Sequence, residues 1–377
     1  MFQVFYHKGC NDGYFAAAAI HFFNKGVPGT VYTPVYHDSM KSMTALAPLV
    51  TLDKNLKGFL FVDIAPSPEL AVGLVEAGYT VYIVDHHKSA RDDMLKLKDL
   101  RPAIMDSDHF KVIIYNKMSG AALAYMLATK ALEHGRTCIF DLLDYIPSKG
   151  LNTDEHMLTN MAAYGYLGAS SFELENLNEF YNLIAIRDLW ITKDPDKKRI
   201  ADQVNAWLYF NKIFNNEDFD LLPVELKSLI VSPGTSNQHL QTIVNEGWMI
   251  MEVFLKQTKD DIQHARLQRY TYKGKTLSVY IGSFVHVSLA GQMVRDLNPG
   301  EPTILIRVVT DFKQPLKLNL SFRSNDVVCR VIAEQLGGGG HDMASGAIVN
   351  LAKTDTVEYT VECLDKLIKN AIEKNLI

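Results

Sequence analysis

The sequence has few cysteines, and no two of them stand close together. Cys10, Cys138, Cys329 and Cys363 are far apart, with no CxxC spacing. That excludes a disulfide framework and a structural zinc ribbon, and it points to a reducing compartment, the cytoplasm. No apolar run approaches the roughly 18 residues that a membrane span requires. The opening stretch, MFQVFYHKGC, has no basic segment followed by an apolar one. Neither secretion nor membrane insertion is expected. Positive charge is not in excess either: 38 Lys and Arg stand against 43 Asp and Glu, for a formal net charge of -5. Without a basic track a long duplex has nothing to hold it, so a polyanionic partner must be short and gripped in a local pocket. No Lys-Ser or Lys-Thr follows the glycine run at 337–340, so that run is not a nucleoside-triphosphate P-loop. Internal repeats and low-complexity segments are also absent.

What is present is enough for a sizeable core. The chain has 377 residues, 47% of them hydrophobic and 21% charged, which suits a soluble protein of two domains. Short apolar strands alternate with helical patterns from the start: FQVFYH (2–7), a helix over YFAAAAIHFFN, TVYTPVY (30–36), GFLFVD (58–63), a helix over 68–77, and TVYIVD (80–85). This alternation predicts an α/β fold with a doubly wound parallel sheet. The helix over 68–77 carries its own signals: Ser67 to cap, Pro68 for the first turn, Glu69 for the dipole and Gly78 just past the end. From about 116 to 260 the pattern is mainly helical, with MSGAALAYMLATKAL and NLNEFYNLIAIRDLW as strong segments. Strands return after 267 (RYTY, a Lys-Gly turn, KTLSVYIG, PTILIRVVTDF and KLNLSFRS), then a helix over 326–336, four glycines, ASGAIVN and a C-terminal helix. The expected organisation is a catalytic domain with a helical extension over 1–240, a connecting helix over 241–266, and a smaller α/β second domain over 267–377.

In an open parallel sheet, ligands sit outside the carboxyl ends of the strands, where the strand order reverses. The first strand delivers His7, with Asp12 five residues on. The strand at 58–63 delivers Asp63, and the strand at 80–85 ends in VDHHK, which is Asp85, His86 and His87. A single strand-end Asp is an ordinary cap or turn former. Three strands converging are different, because carboxylates gathered at one edge repel one another and desolvate at a cost of several kcal/mol per ion unless a cation neutralises them. Mixed imidazole and carboxylate donors suit Mn²⁺, and also Fe²⁺, Co²⁺ or Mg²⁺, better than a closed zinc site. His21, His37, His109, His134 and His156 lack such convergence and read as surface or core residues.

VDHHK, with YHKGCNDGYFAAA before it and FVDIAPS between, resembles the DHH phosphoesterase superfamily. SFRSNDVVCRVIAEQLGGGGHDMASGA resembles the DHHA1 domain of its RecJ, oligoribonuclease and cyclic-dinucleotide phosphodiesterase branches. The resemblance spans residues 7 to 347; about 195 to 265 matches no motif. It implies that His7, Asp12, Asp63 and His86 ligate a pair of divalent ions, Mn²⁺ with Mg²⁺ or Co²⁺ as alternatives. It implies a further Asp from the helical segment, for which Asp188 in AIRDLW is the candidate, and it turns His87 to the scissile phosphate. Asp85 either orients the His pair or contacts a metal. In one place the sequence departs from the pattern. The superfamily's first motif carries two Asp separated by one residue, whereas CNDGYF has Asp12 alone. Cys10 then ligates as a thiolate, or Asn11 lends an amide oxygen, or one metal binds weakly, or Cys10 is a buried thiol beside an intact one-metal site.

In the second domain, the glycines at 337–340, with Gly338, Gly339 and Gly340 foremost, let the backbone present N–H groups to a phosphate, with His341 as a further donor. Arg323, with Ser324 beside it, lies on a strand end and can grip a phosphate bidentately. The expected activity is hydrolysis of short single-stranded oligonucleotides, or of linear or cyclic dinucleotides, to nucleoside monophosphates, with such nucleotides as partners and a homodimer allowed. A pyrophosphatase or exopolyphosphatase is the alternative within the class. A nucleotide-binding module with a degraded catalytic site is the alternative outside it.

Overall fold

The computed structural model describes residues 1–24, 29–51, 53–146, 151–152, 157–160, 177–189, 194–231, 238–272, 275–299, 301, 303–309, 317–323, 329–341 and 344–350, with Glu362 and Lys366. The chain divides into two compact units, Met1–Met251 and Glu252–Ile377.

The first unit holds β1 (Phe2–His7), α1 (Asn11–Phe23), β2 (Val31–Val35), α2 (Met43–Leu46), β3 (Gly58–Val62), α3 (Pro68–Glu76), β4 (Thr80–Asp85), α4 (Lys88–Leu100), α5 (Pro102–Met105) and β5 (Phe110–Tyr115). There follow α6 (Gly120–Glu133), α7 (Ile139–Tyr145), β6 (Leu151–Asn152), β7 (Met157–Asn160), α8 (Glu179–Leu189), α9 (Pro195–Phe210), α10 (Val224–Val231) and the start of α11 (Gln238–His264). The sheet order is β2-β1-β3-β4-β5-β7-β6. Its first five strands are parallel, and β7 and β6 join antiparallel at one edge. The expected parallel sheet is thus mixed. The β6–β7 pair falls in a stretch that reads as helical in sequence, because two- and four-residue strands are too short to show a period.

Alternate residues along the central strands serve opposite faces, as a pleated strand requires. Tyr82 and Val84 pack on one side with α1, α6 and α8, while Val81 and Ile83 pack on the other with α3 and α4. Burial on both faces explains why these strands read as continuous apolar runs. Ser67 caps α3 by accepting from Leu70 N, and Gly78 takes the positive φ of 87° that ends it. On the first face, α1 lies against α6 through small side chains. Ala16, Ala17, Ala18 and Ala19 of α1 and Ala121, Ala122, Ala124 and Ala128 of α6 are all buried in one cluster. Short side chains let the two backbones approach, and this sets the depth of the helix ends at the sheet edge.

The second unit holds the end of α11, then β8 (Arg266–Tyr272), β9 (Lys275–Gly282), α12 (Val287–Leu297), β10 (Thr303–Val309), β11 (Lys317–Arg323), α13 (Cys329–Gln335), β12 (Gly339–His341) and β13 (Ala344–Asn350). Its sheet runs β12-β13-β11-β10-β9-β8, with α13 packed on one face and α12 on the other. The Lys-Gly turn at 273–274 lies outside the described residues, as does the C-terminal helix apart from Glu362 and Lys366. Among the described residues no helix is long and apolar enough to cross a membrane.

Ala124 of α6 is fully buried in the cluster it shares with α1. Ala124→Leu should lower unfolding stability by about 1–3 kcal/mol, the usual cost of overpacking, measured by urea titration followed by circular dichroism. An unchanged midpoint would show that the helices have slack between them.

Candidate metal centre

Strand order reverses between β1 and β3, since the chain leaves β1 for β2 on one side and for β3 on the other. His7 ends β1, Asp63 follows β3, and Asp85 ends β4 with His86 and His87 after it. The crevice at the switch point therefore receives the side chains that the strand ends were expected to supply.

His86 is the hub. It is 2% exposed, and its Nε2 lies 3.0 Å from Asp63 Oδ1, 3.4 Å from Asp12 Oδ2 and 3.5 Å from Asp188 Oδ2. Asp63 is also reached by His7 Nδ1 at 3.6 Å and by Cys10 Sγ at 3.4 Å, both at its Oδ2. Its backbone has a φ of 56°, in the left-handed region, a conformation that costs energy in a residue with a side chain and is concentrated at functional sites. The Asp63 N–H donates to Val84 O at 3.0 Å, which keeps the turn tied to β4. At Gly120 an added Cβ would come within 2.6 Å of Asp63 Cβ, so α6 can begin this close to Asp63 only with glycine.

Asp12 is held from the other side. Its Oδ2 accepts from Gly120 N at 2.7 Å and its Oδ1 from Ala121 N at 2.9 Å, so a carboxylate on α1 satisfies the first amides of α6 and complements that helix's dipole. Burial first, then the Asp63 and Asp188 carboxylates, push the Asp12 carboxyl well above the usual range. Asp63 goes the other way: burial opposes its ionisation, but hydrogen bonds from His7 and His86 outweigh that and hold it well below. Two buried acids driven apart in this manner are a pair that cannot both ionise without a cation.

Asp85 is engaged with the His pair. Its Oδ1 accepts from His86 N at 2.6 Å, from His87 N at 3.2 Å and from His87 Nδ1 at 2.8 Å. It orients the two rings, and it also belongs to a donor set with Asp63, His86 and His87. Burial works to lower the His87 pKa, but the Asp85 charge and hydrogen bond overcome it, so the imidazole is raised.

Cys10 is not packed away from the centre. Its Sγ accepts from Gly13 N at 3.2 Å and so caps α1, and burial with the Asp63, Asp12 and Asp188 carboxylates pushes its thiol up. Asn11 donates through Nδ2 to Asn205 Oδ1 at 2.9 Å, while its buried Oδ1 meets no hydrogen-bond donor among the described residues.

Three donor sets have ligand atoms within 4.8 Å of one another: Asp63, Asp85, His86 and His87; His7, Cys10 and Asp63; and Asp12, His86 and Asp188. Asp63 and His86 each belong to two sets. Oxygen and imidazole donors so arranged, with buried acids in need of neutralisation, fit divalent cations. All six sequence-expected ligands, and Asp85 and His87 with them, are brought together.

His37 joins them, contrary to its sequence reading. It follows β2, and its ring lies 4.6 Å from that of His7 and 5.9 Å from that of His87. The signal available in sequence was its place just past a strand of the same parallel sheet, in YHDS.

The expected anion site lies in the second unit. Arg323 ends β11 and is buried, with Nη1 donating to Phe322 O at 2.8 Å. Ser324 is outside the described residues. Of the glycines, Gly339 and Gly340 lie with His341 in β12, the edge strand of this sheet, paired with β13. An added Cβ on Gly338, just before β12, would meet Gly346 O of β13 at 2.0 Å, so that glycine answers to a close approach to β13.

No protein-family model and no curated protein matches the chain. Among solved structures it is similar to a DHH-domain protein described as a member of the s1p family of ribosomal proteins, at 12% identity and TM-score 0.49, covering 98% of this chain and 86% of that one. It is similar to RecJ in complex with Mn²⁺ from Thermus thermophilus, at 13% identity and TM-score 0.48, covering 98% of this chain and 52% of that one. It is similar also to the pGpG-specific phosphodiesterase PggH from Vibrio cholerae, at 12% identity and TM-score 0.34, covering 97% and 98%. At such identities and scores the likeness carries no chemistry of its own.

A cation bound here should stabilise the fold by mass action, by about 2.7 kcal/mol at a hundredfold excess over its Kd. Mn²⁺ should raise the melting temperature of the wild type in differential scanning fluorimetry, and Asp63→Asn or His86→Ala should abolish the shift. An undiminished shift in either variant would place the ion elsewhere.

Proposed function

We infer that the chain is a DHH-type, metal-dependent phosphodiesterase acting on short oligonucleotides or on linear or cyclic dinucleotides and releasing nucleoside monophosphates. The observation that carries this reading is His86, within 3.5 Å of three carboxylates from three separate elements, in contact with a histidine whose ring is tied to Asp85. Such a donor set suits metal-assisted hydrolysis of a phosphate ester.

His7, Asp12, Asp63, His86 and Asp188 would hold two divalent ions, Mn²⁺ with Mg²⁺ or Co²⁺ as alternatives, and Cys10 completes the set. Bound there, the ions would activate water and neutralise charge on the phosphate oxygens. The chain's own residues do the positioning. Asp85 fixes the His87 ring by accepting from Nδ1, and the raised pKa of that imidazole makes it a proton-bearing donor to a phosphate oxygen. The amides of α6 hold Asp12 in place, so the donor set is formed before substrate arrives. The second domain, expected over 267–377, supplies a further grip on the nucleotide through Arg323 and His341, and such a remote contact contributes through orientation.

A hydrolysis panel with Mn²⁺ tests this: linear and cyclic dinucleotides, short oligoribonucleotides, 3′-phosphoadenosine 5′-phosphate and pyrophosphate. The wild type should release monophosphates from a phosphodiester, and Asp63→Asn should lose activity by about a thousandfold or more while its circular dichroism is unchanged, as when a group acting in the transition state is removed. Turnover of pyrophosphate alone would replace this reading with a pyrophosphatase. Binding of nucleotides without turnover of any substrate would replace it with a binding module.

A further inference from the structure

Helix α9 lies in the stretch that matches no motif, yet one stripe of it meets the centre. Asp202 Oδ1 forms an ion pair with Arg187, 3.0 Å from its Nε and next to Asp188. Asn205 Oδ1 accepts from Asn11 Nδ2 at 2.9 Å. Tyr209 Oη reaches Gly9 O at 3.5 Å. Spacings of three and four residues put all three on one helix face, and that face covers the loop between His7 and Asp12. Tyr209 is nonetheless 43% exposed, and the ring of Phe214 stands beside it with centroids 4.8 Å apart. An exposed tyrosine is ordinary. One whose hydroxyl is tied to a metal-binding loop, whose ring is braced by a second aromatic, and whose remaining surface is open at the rim of that loop is a built platform.

We propose that Tyr209 is a stacking face for a nucleobase of the substrate, so that the first unit itself distinguishes a nucleotide from a bare phosphate chain. This rests on the proposed function and deepens it by naming a base subsite. Every base has an apolar π-face, so an aromatic platform selects for the presence of a base with little regard to its identity. A tyrosine held between Gly9 and Phe214 orders at low entropic cost, because it has only two side-chain torsions to immobilise. A pyrophosphate or polyphosphate has nothing to place there.

The test compares a dinucleotide with its counterpart in which one base is replaced by an abasic sugar, and reads binding separately from turnover. The wild type should favour the complete dinucleotide in kcat/KM by roughly ten- to hundredfold, the range of base stacking on an aromatic side chain. Tyr209→Ala should erase that preference by slowing the complete substrate only, and Tyr209→Phe should retain most of it. With Ca²⁺ in place of Mn²⁺ to slow turnover, a dinucleotide carrying 2-aminopurine should be quenched on binding the wild type and Tyr209→Phe, and much less on binding Tyr209→Ala. Equal losses on both substrates, or quenching unchanged in Tyr209→Ala, would overturn the proposal. If the wild type hydrolyses neither substrate, the proposed function fails, and the quenching still decides: dependence on Tyr209 upholds the stacking face, and its absence removes it.

Discussion

Everything at the sheet edge depends on bringing Asp12 and Asp63 out of water within reach of one imidazole. Both acids are buried, with 3% and 1% exposure, and two like charges in a low-dielectric setting cannot both ionise without help. The fold meets this on several sides. Two amides at the start of α6 hold Asp12, His7 and His86 hold Asp63, and Asp85 is satisfied by the N–H groups of the very residues it precedes. These supports leave a negative, oxygen-rich set for which a divalent ion is the natural complement.

That arrangement rests on packing well away from it. Asp12 can reach the first amides of α6 only because α1 and α6 lie close, and they lie close because each presents alanines to the other. The alanine run in YFAAAAI is therefore part of the centre's construction although it carries no chemistry. Gly120 works likewise, since any side chain there would collide with Asp63. A helix end, two stretches of alanine and one glycine decide whether a carboxylate becomes a ligand or an ordinary cap.

The helical region beyond the sheet has a clearer place than its lack of motifs suggests. Helix α8 brings Asp188 to His86, and α9 pairs Asp202 with Arg187 of α8 and sets Asn205 and Tyr209 against Asn11 and Gly9 of the segment after His7. In the second unit, the last two of the four glycines lie with His341 in a strand paired with β13. A glycine run signals close approach of a backbone without saying to what.

The sequence by itself determined the longer strands, the ends of α3 and the strand-end residues, because these depend on local periodicity and on neighbours a few residues away. Buried strands read as apolar runs, Ser67 and Gly78 read as the ends of a helix, and His7, Asp63, Asp85, His86 and His87 read as one edge once a parallel sheet was inferred. Tertiary structure alone decided the rest. Asp12 meets amides 108 residues away, Asn11 meets Asn205 at a separation of 194, and His37 finds His7 only because β2 lies beside β1. Such contacts are set by how helices and strands pack, which no pattern within a short window encodes. Whether Cys10 stands at the centre or apart from it was open in the sequence for the same reason, and the turn that places its sulfur 3.4 Å from Asp63 closed it.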